Sequence, residues 1–298
     1  MTSVPSGRPP GFTLVELLLA LALGSFVVLA AGAGYVFATR GWVDHQQRLE
    51  TQQNLREAVE TLTRELRLAG ACLLTDQLSS SPANARPLDG THTGGAVPDT
   101  ITVRMNLHCA KGTLTASYTG GATIALDTVQ NFVPGMWAYV WDPGANPVSY
   151  GEKFLVVAVN AGANQLTVAP GTITQNYPTA DNSQVFGMEE LAYAIDQTGP
   201  VPVLTVTTLD EPTKPDVSGI EGLAISYVLN RVGGACAGTT GPPYNYCVVT
   251  LPATAAEWAI VRDVQLTIFA RSAQVVPGSA GYYRLSETTE ISPRNLQF

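Results

Sequence analysis

The sequence is poor in charged residues and in the residues that build metal sites. Only 13% of the chain is Asp, Glu, Lys or Arg, against 45% apolar residues, and the formal net charge is −8. A negative surface does not favour phosphate binding, so we expect no direct contact with nucleic acid. With three histidines and neither a C-x-x-C nor an H-E-x-x-H motif, the sequence predicts no metal or other cofactor.

Charge is missing altogether from one stretch near the N-terminus. No Asp, Glu, Lys, Arg or His occurs from Leu17 to Phe37, and no proline follows Pro10 until Pro82. As a helix, this uncharged stretch rises ~31 Å, about the thickness of the hydrocarbon core of a bilayer. One acid, Glu16, stands directly before it. An acid inside a membrane costs roughly 2.5–3.5 kcal/mol on insertion scales, so Glu16 is a candidate functional residue.

The residues around Glu16 form a distinctive motif. A short polar leader is followed from Gly11 by Gly-Phe-Thr-Leu-Val-Glu and then by the apolar helix. This segment resembles the class III signal peptide of type IV pilins and pseudopilins. The resemblance implies that a prepilin peptidase cuts between Gly11 and Phe12 and that the amine of Phe12 is then methylated. It also implies that Glu16 pairs with the terminal amine of a neighbouring subunit in the membrane.

Two other processing routes compete with this interpretation. The segment could be an ordinary signal anchor with an incidental acid. Alternatively, the small residues Ala31-Gly32-Ala33 resemble a signal peptidase site, and cleavage there would release a protein beginning at Gly34. The apolar run that opens at Gly11 and lasts to about Ala38 is longer than a typical 7–15-residue signal core and contains Glu16, which favours the pilin-type route.

Beyond the membrane segment the pattern indicates that the helix continues. We divide this part of the chain into a leader (1–11), a membrane segment (12–40) and an amphipathic helix (42–70). Apolar residues recur at steps of three and four, as on one face of a helix: Leu55, Ala58, Val59, Leu62, Leu66 and Ala69. We also expect the i, i+4 ion pairs Asp44–Arg48 and Glu60–Arg64 on the solvated side. The sequence therefore predicts one helix of more than fifty residues that runs from lipid into water.

The remainder, 71–298, has the short alternating runs and frequent turn residues of β structure. We expect strands at Thr100–Met105 and Trp258–Arg271, a hairpin turning at 160–164, and an inserted β-rich region at about 95–185. The predicted fold class is α+β, with a long N-terminal helix packed on an antiparallel β-sheet.

Later segments refine the resemblance. Residues 217–223 read Val-Ser-Gly-Ile-Glu-Gly-Leu, and the chain closes near Ile291 to Leu296 with Pro-Arg-Asn-Leu. Both segments are similar to those of PilW-type minor pilins. The resemblance implies an inner-membrane protein with a cytoplasmic N-terminus that later reaches the pilus. Its partners would be other minor and major pilins, the prepilin peptidase and the inner-membrane assembly platform.

Four cysteines follow the membrane segment: Cys72, Cys109, Cys236 and Cys247. On the oxidising side of a membrane they can form disulfides, and four cysteines allow three connectivities. We favour Cys236–Cys247, because it closes a short loop, together with Cys72–Cys109.

Catalysis is not the function that the sequence favours. Residues Gly234 to Gly238 resemble a nucleophile elbow around Cys236. The sequence before and after them does not predict the strand and the helix that such an elbow requires. His108 and Cys109 are adjacent, and adjacent residues on a strand point to opposite faces. The alternatives to a minor pilin are a large pseudopilin of a type II secretion system and, further off, a membrane-anchored adhesin.

Overall fold

A single helix dominates the N-terminal part of the computed structural model, which describes residues 13–73, 85–94, 98–144, 150–230, 246–276 and 281–296. Helix α1 spans Leu14–Leu68, 55 residues without a break. It passes through Gly24, Gly32, Gly34 and Gly41 as continuous helix. It ends where Gly70 adopts a positive φ of 76°, the backbone conformation that commonly closes helices. The α+β fold class with a long N-terminal helix is confirmed.

The upper half of α1 is held against the β structure by one buried stripe. Its buried residues are Gln47, Thr51, Leu55, Ala58, Leu62 and Leu66. The apolar face predicted from the sequence is therefore correct. The buried stripe also continues toward the N-terminus through Gln47 and Thr51, which a search for periodic apolar residues cannot find because both are polar. Of the two predicted ion pairs, Arg48 bonds Asp44 at 3.1 Å, whereas Arg64 bonds Glu65 at 2.9 Å instead of Glu60.

The rest of the described chain is almost entirely β structure. The strands are β1 (Leu88–Thr91), β2 (Thr100–Met105), β3 (Lys111–Thr113), β4 (Thr123–Ala125), β5 (Trp137–Asp142), β6 (Tyr150–Asn160), β7 (Gln165–Val168), β8 (Gln184–Gly187), β9 (Glu189–Asp196), β10 (Val203–Thr208), β11 (Lys214–Ser218), β12 (Ile220–Asn230), β13 (Tyr246–Val249), β14 (Val261–Val275) and β15 (Tyr282–Ile291).

Two antiparallel sheets form the head that receives α1. Their strand orders are β1-β2-β9-β10-β11 and β13-β12-β14-β15. One apolar core joins them to the helix, because Leu55, Leu62 and Leu66 belong to the same buried cluster as Ile101 of the first sheet and Leu266 of the second.

A third sheet, with the order β3-β8-β5-β6-β7-β4, closes on itself. An antiparallel bridge joins Leu114 to Leu126, and the Thr115 amide donates to the carbonyl of Ala125 at 3.0 Å. The outer strands β3 and β4 are thereby linked, and the result is a six-stranded barrel. Its interior is a separate apolar cluster that includes Phe154, Leu166 and Tyr177. The predicted hairpin is present, since Asn160 of β6 faces Gln165 of β7.

The barrel occupies a shorter range than the predicted insert. Strand β2 lies inside the predicted range 95–185, but it pairs with β1 and β9 of the head. The barrel strands run from Lys111 to Gly187. The prediction was wrong at its N-terminal boundary, because a single strand carries no sign of which sheet it joins.

The late strand also begins later than predicted. Residues Ala255–Ala259 form a short helix, α2, whose N-cap Thr254 accepts a hydrogen bond from the Glu257 amide. Strand β14 starts only at Val261. Trp258 lies in α2 and packs edge-on against Tyr227, with ring centroids 4.9 Å apart.

Candidate membrane and assembly site

The first turn of α1 is closed by a reciprocal cap. The Glu16 amide donates to Thr13 Oγ1 at 3.3 Å, and Glu16 Oε2 accepts from both the amide and the hydroxyl of Thr13 at 3.0 Å. This arrangement is a capping box, in which two otherwise unpaired groups at the helix start satisfy each other. The motif contains the sequence pattern of this cap, a threonine three residues before a glutamate, but the cap was not among the predictions.

Glu16 is therefore fixed in place at the start of the apolar segment. It is an exposed residue of the first turn of α1, and both of its hydrogen bonds from Thr13 reach the same oxygen. Gly11 and Phe12, the two residues of the predicted cleavage site, lie outside the described residues. A methylated amine at Phe12 remains a prediction.

The lower half of α1 exposes an apolar surface on all sides. Residues 13–43 are all exposed, and large side chains such as Leu29 and Phe37 are 72% and 82% exposed. Within the described residues, α1 is the one helix long and apolar enough to cross a membrane, with a mean hydropathy of 2.5 over its most apolar window. Such a surface is unstable in water and needs lipid or other helices around it.

A disulfide connects the end of α1 to the entrance of the barrel. Cys72 is bonded to Cys109, as the favoured connectivity expects. Close by, the Asn106 amide donates to the Ala71 carbonyl at 2.8 Å. Cys247 is buried in β13, while Cys236 lies outside the described residues, so the pairing Cys236–Cys247 stays a prediction.

The barrel is also attached to the head by charge. Glu190 of β9 bonds both Arg104 of β2 and, at 2.5 Å, Lys153 of the barrel strand β6. Burial raises the pKa of Glu190, but the two cations outweigh it and leave that pKa below its ordinary value. Burial lowers the pKa of Lys153, and this effect is larger than the rise caused by Glu190, so the pKa of Lys153 lies below its ordinary value. A second link joins Trp137 Nε1 to Asp210 Oδ1 at 2.6 Å.

The candidate catalytic groups do not form a reactive site in the part that the structure describes. Cys109 is consumed by its disulfide, so His108 has no thiol beside it. The elbow-like residues 234–238 lie outside the described residues. Among the described residues, no group of three or more His, Cys, Asp and Glu could hold a metal ion.

Comparison with known proteins adds one finding at the N-terminus. Residues 10–32 match the family described as the prokaryotic N-terminal methylation motif. No curated protein and no solved structure shows significant similarity to the chain. The matched residues include the start of α1 and much of its exposed apolar half, and these features fit anchoring in a membrane. These findings support a type IV pilin-like protein or pseudopilin that meets a prepilin peptidase and a pilus-type assembly machinery.

Proposed function

We propose that the chain is a PilW-like minor pilin that helps to prime pilus assembly and is located at or near the pilus tip. The observation that carries the proposal is the methylation motif at residues 10–32, which overlaps the start of a 55-residue helix whose lower half is wholly exposed. Filaments of this class support twitching, adhesion and DNA uptake.

The mechanism is lateral association of helices. Cleavage after Gly11 places the new amine of Phe12 one helical turn from Glu16. Because Glu16 uses only Oε2 for its cap, Oε1 can accept from the amine of an adjacent subunit. In the low dielectric of the membrane, such a pair selects register and orientation. The apolar surfaces of α1 then pack side by side when the bundle leaves the membrane.

The segment 217–223, which resembles that of PilW-type minor pilins, has a structural role in the head. Gly219 has a positive φ of 77°, and a Cβ there would lie 3.0 Å from the carbonyl oxygen of Arg271, so glycine suits this tight junction between β11 and β12. Glu221 bonds Arg284 of β15 at 2.8 Å and lies 3.8 Å from Arg271 of β14. The segment thus ties three strands of the second sheet together.

Mass spectrometry of the native N-terminus tests the proposal. We expect an N-methylated Phe12 in cells with the prepilin peptidase and the intact leader in cells that lack it. An N-terminus at Gly34 would instead indicate a plainly secreted protein. Deletion of the gene then separates the machines: loss of twitching supports the pilus, whereas loss of secretion with normal twitching indicates a type II pseudopilin. An anchored adhesin would leave both activities intact.

A further inference from the structure

A groove runs along the last three turns of α1. It has a volume of about 720 Å³ and lies between the helix, the Thr289 region of β15 and the C-terminal segment at Arg294. Its helical side is formed by Thr63, Arg67 and Leu68 among others. Thr63 and Arg67 are four residues apart, as are Arg64 and Leu68, so these residues share one face of the helix. The volume falls within the range of about 300–1,000 Å³ typical of binding pockets.

Two arginines at one end of this groove have no counterion among the described residues. The Arg294 amide donates to the Arg67 carbonyl at 3.3 Å, which brings the two residues together. Arg64 is neutralised by Glu65, but the guanidinium groups of Arg67 and Arg294 make no hydrogen bond or ion pair within the described residues. Both side chains are exposed and both residues line the same groove, so together they present positive charge to an approaching group.

The floor of the groove indicates what kind of anion fits. Val59, Leu68 and Ala71 are half-buried apolar residues along it, and a free phosphate would leave them uncovered. The Thr63 hydroxyl oxygen is shielded from solvent and has no hydrogen-bond partner in the described residues. A planar guanidinium binds a carboxylate in a two-point geometry, and the apolar floor accepts the aliphatic part of the side chain that carries it.

The opposite end of the groove carries the opposite charge. Glu60 also lines it, seven residues before Arg67 and therefore about 10 Å along the helix axis. The groove consequently has a direction, with anion preference at the arginine end and cation preference at the Glu60 end. A protein segment can satisfy both ends at once.

We propose that this groove binds an acidic side chain, flanked by apolar residues, on a neighbouring subunit of the same fibre. The inference rests on the proposed function, because lateral association of α1 helices brings the heads of adjacent subunits together. The groove would then decide which subunit lies next to this one, while Glu16 sets the register of any pair.

Site-specific cross-linking in living cells tests the proposal on the full chain. A photoreactive amino acid at Asn295, which lines the groove, is combined with R67E/R294E. The control is K111E, which reverses an exposed charge elsewhere that, like those of Arg67 and Arg294, has no ion pair within the described residues. We expect a cross-link to a sister subunit at an acidic residue. Its yield should fall at least about tenfold in R67E/R294E and stay unchanged in the control.

Folding is checked separately. Equal unfolding midpoints for the unsubstituted chain, R67E/R294E and the control variant show that the substitutions leave the fold intact. Reversal of the partner's acid to arginine should restore the cross-link to R67E/R294E.

Three results would overturn this inference: cross-linking to the chain itself, to lipid or to a protein that is not a fibre subunit; a cross-link insensitive to R67E/R294E; or none at all in a chain that carries methylated Phe12 and copurifies with fibres. Absence of Phe12 methylation and of fibre association in the unmodified chain would instead overturn the proposed function.

Discussion

At the scale of single residues, Glu16 can serve two purposes at once. One oxygen completes the cap with Thr13, and Oε1 makes no hydrogen bond within the described residues. The cap holds the carboxylate at the helix start without consuming it. This arrangement allows an amine from another subunit to bind a carboxylate that is already oriented.

Substitution of Glu16 by Gln separates the cap from the charge. Glutamine can complete a capping box as glutamate does, but it cannot neutralise an amine. We expect E16Q to be cleaved normally and to enter fibres at least about tenfold less, since removing one partner of a desolvated ion pair is strongly destabilising. Quantitative immunoblots of sheared fibres and of membranes measure both steps. Normal incorporation of E16Q, with loss only in E16A, would show that the cap rather than the charge matters.

A second carboxylate, Glu152 of β6, organises a turn of the barrel. It accepts hydrogen bonds from the amides of Thr174 and Gln175 and from the hydroxyl of Tyr177. Burial raises the pKa of Glu152, but these donors outweigh burial and leave the pKa below its ordinary value. The ionised form therefore stabilises the folded barrel.

This shift predicts a pH-dependent stability. A lowered pKa contributes stability above the unfolded value, near 4.3, and loses it as the pH falls through the folded value. We expect E152Q to cost about 1–2 kcal/mol at pH 7, toward the lower end because the group is partly solvated. The difference in the free energy of unfolding between E152Q and the unmodified protein should shrink as the pH falls toward about 3. Urea unfolding followed by tryptophan fluorescence measures it, and a gap of equal size at both pH values would contradict the prediction.

At the scale of elements, α1 is one helix with two environments. Its lower part is exposed on all sides, while its upper part buries a stripe with steps of three and four against the head. Stability of the upper part therefore comes from packing and not from helix propensity alone.

Truncation of Leu62 tests this packing. Its side chain is fully buried in the core shared by α1 and both sheets, so L62A should lower the free energy of unfolding by about 2–5 kcal/mol. Leu49, on the same helix, is 45% exposed, and L49A should change stability by no more than about 0.5 kcal/mol. Thermal unfolding of the full chain in detergent, followed by circular dichroism, compares the two. Equal midpoints would mean that the upper half of α1 does not depend on the head.

Local patterns predicted the elements better than their assembly. The helix, its apolar face and the turn at 160–164 follow from periodicity and turn residues, which are properties of neighbouring positions. The barrel closure at Leu114 and Leu126, and the assignment of β2 to the head, depend on pairings between distant segments. Such pairings leave no periodic signal in a single sequence.

The same limit applies to the candidate site. Glu16 was predicted because a charge in an apolar run is conspicuous. The pair Arg67 and Arg294, which has no counterion in the described part of the chain, was not predicted. Two arginines separated by most of the chain become neighbours only when the C-terminal segment packs against α1.

At the scale of the whole molecule, the barrel is an insertion in one hairpin of the head. Met105 of β2 and Glu189 of β9 face each other across the first sheet, and the whole barrel lies between them in sequence. The barrel core and the head core are separate clusters. Insertion at a turn preserves the fold of both parts.

Removal of the barrel should therefore leave a folded head. We expect a chain in which Met105 and Glu189 are joined by Asn-Gly, a favoured two-residue hairpin turn, to fold in a C72S background. Leu73 and Leu209 lie in one apolar cluster with barrel residues such as Phe186. Their exposure should lower the free energy of unfolding, but cooperative unfolding and N-terminal cleavage should persist. Calorimetry and N-terminal mass spectrometry check these outcomes. A protein without a cooperative transition would show that the head needs the barrel to fold.

The adjacency of Met105 and Glu189 also has a mechanical meaning. In the proposed fibre, tension on the filament would enter this protein along α1 and spread through the strands of the head. The two backbone connections of the barrel leave the first sheet side by side, at Met105 and Glu189. The barrel therefore lies outside the path along which tension passes, and Cys72–Cys109 attaches it near its base. In the proposed fibre, the barrel would therefore keep its shape while the head carries tension.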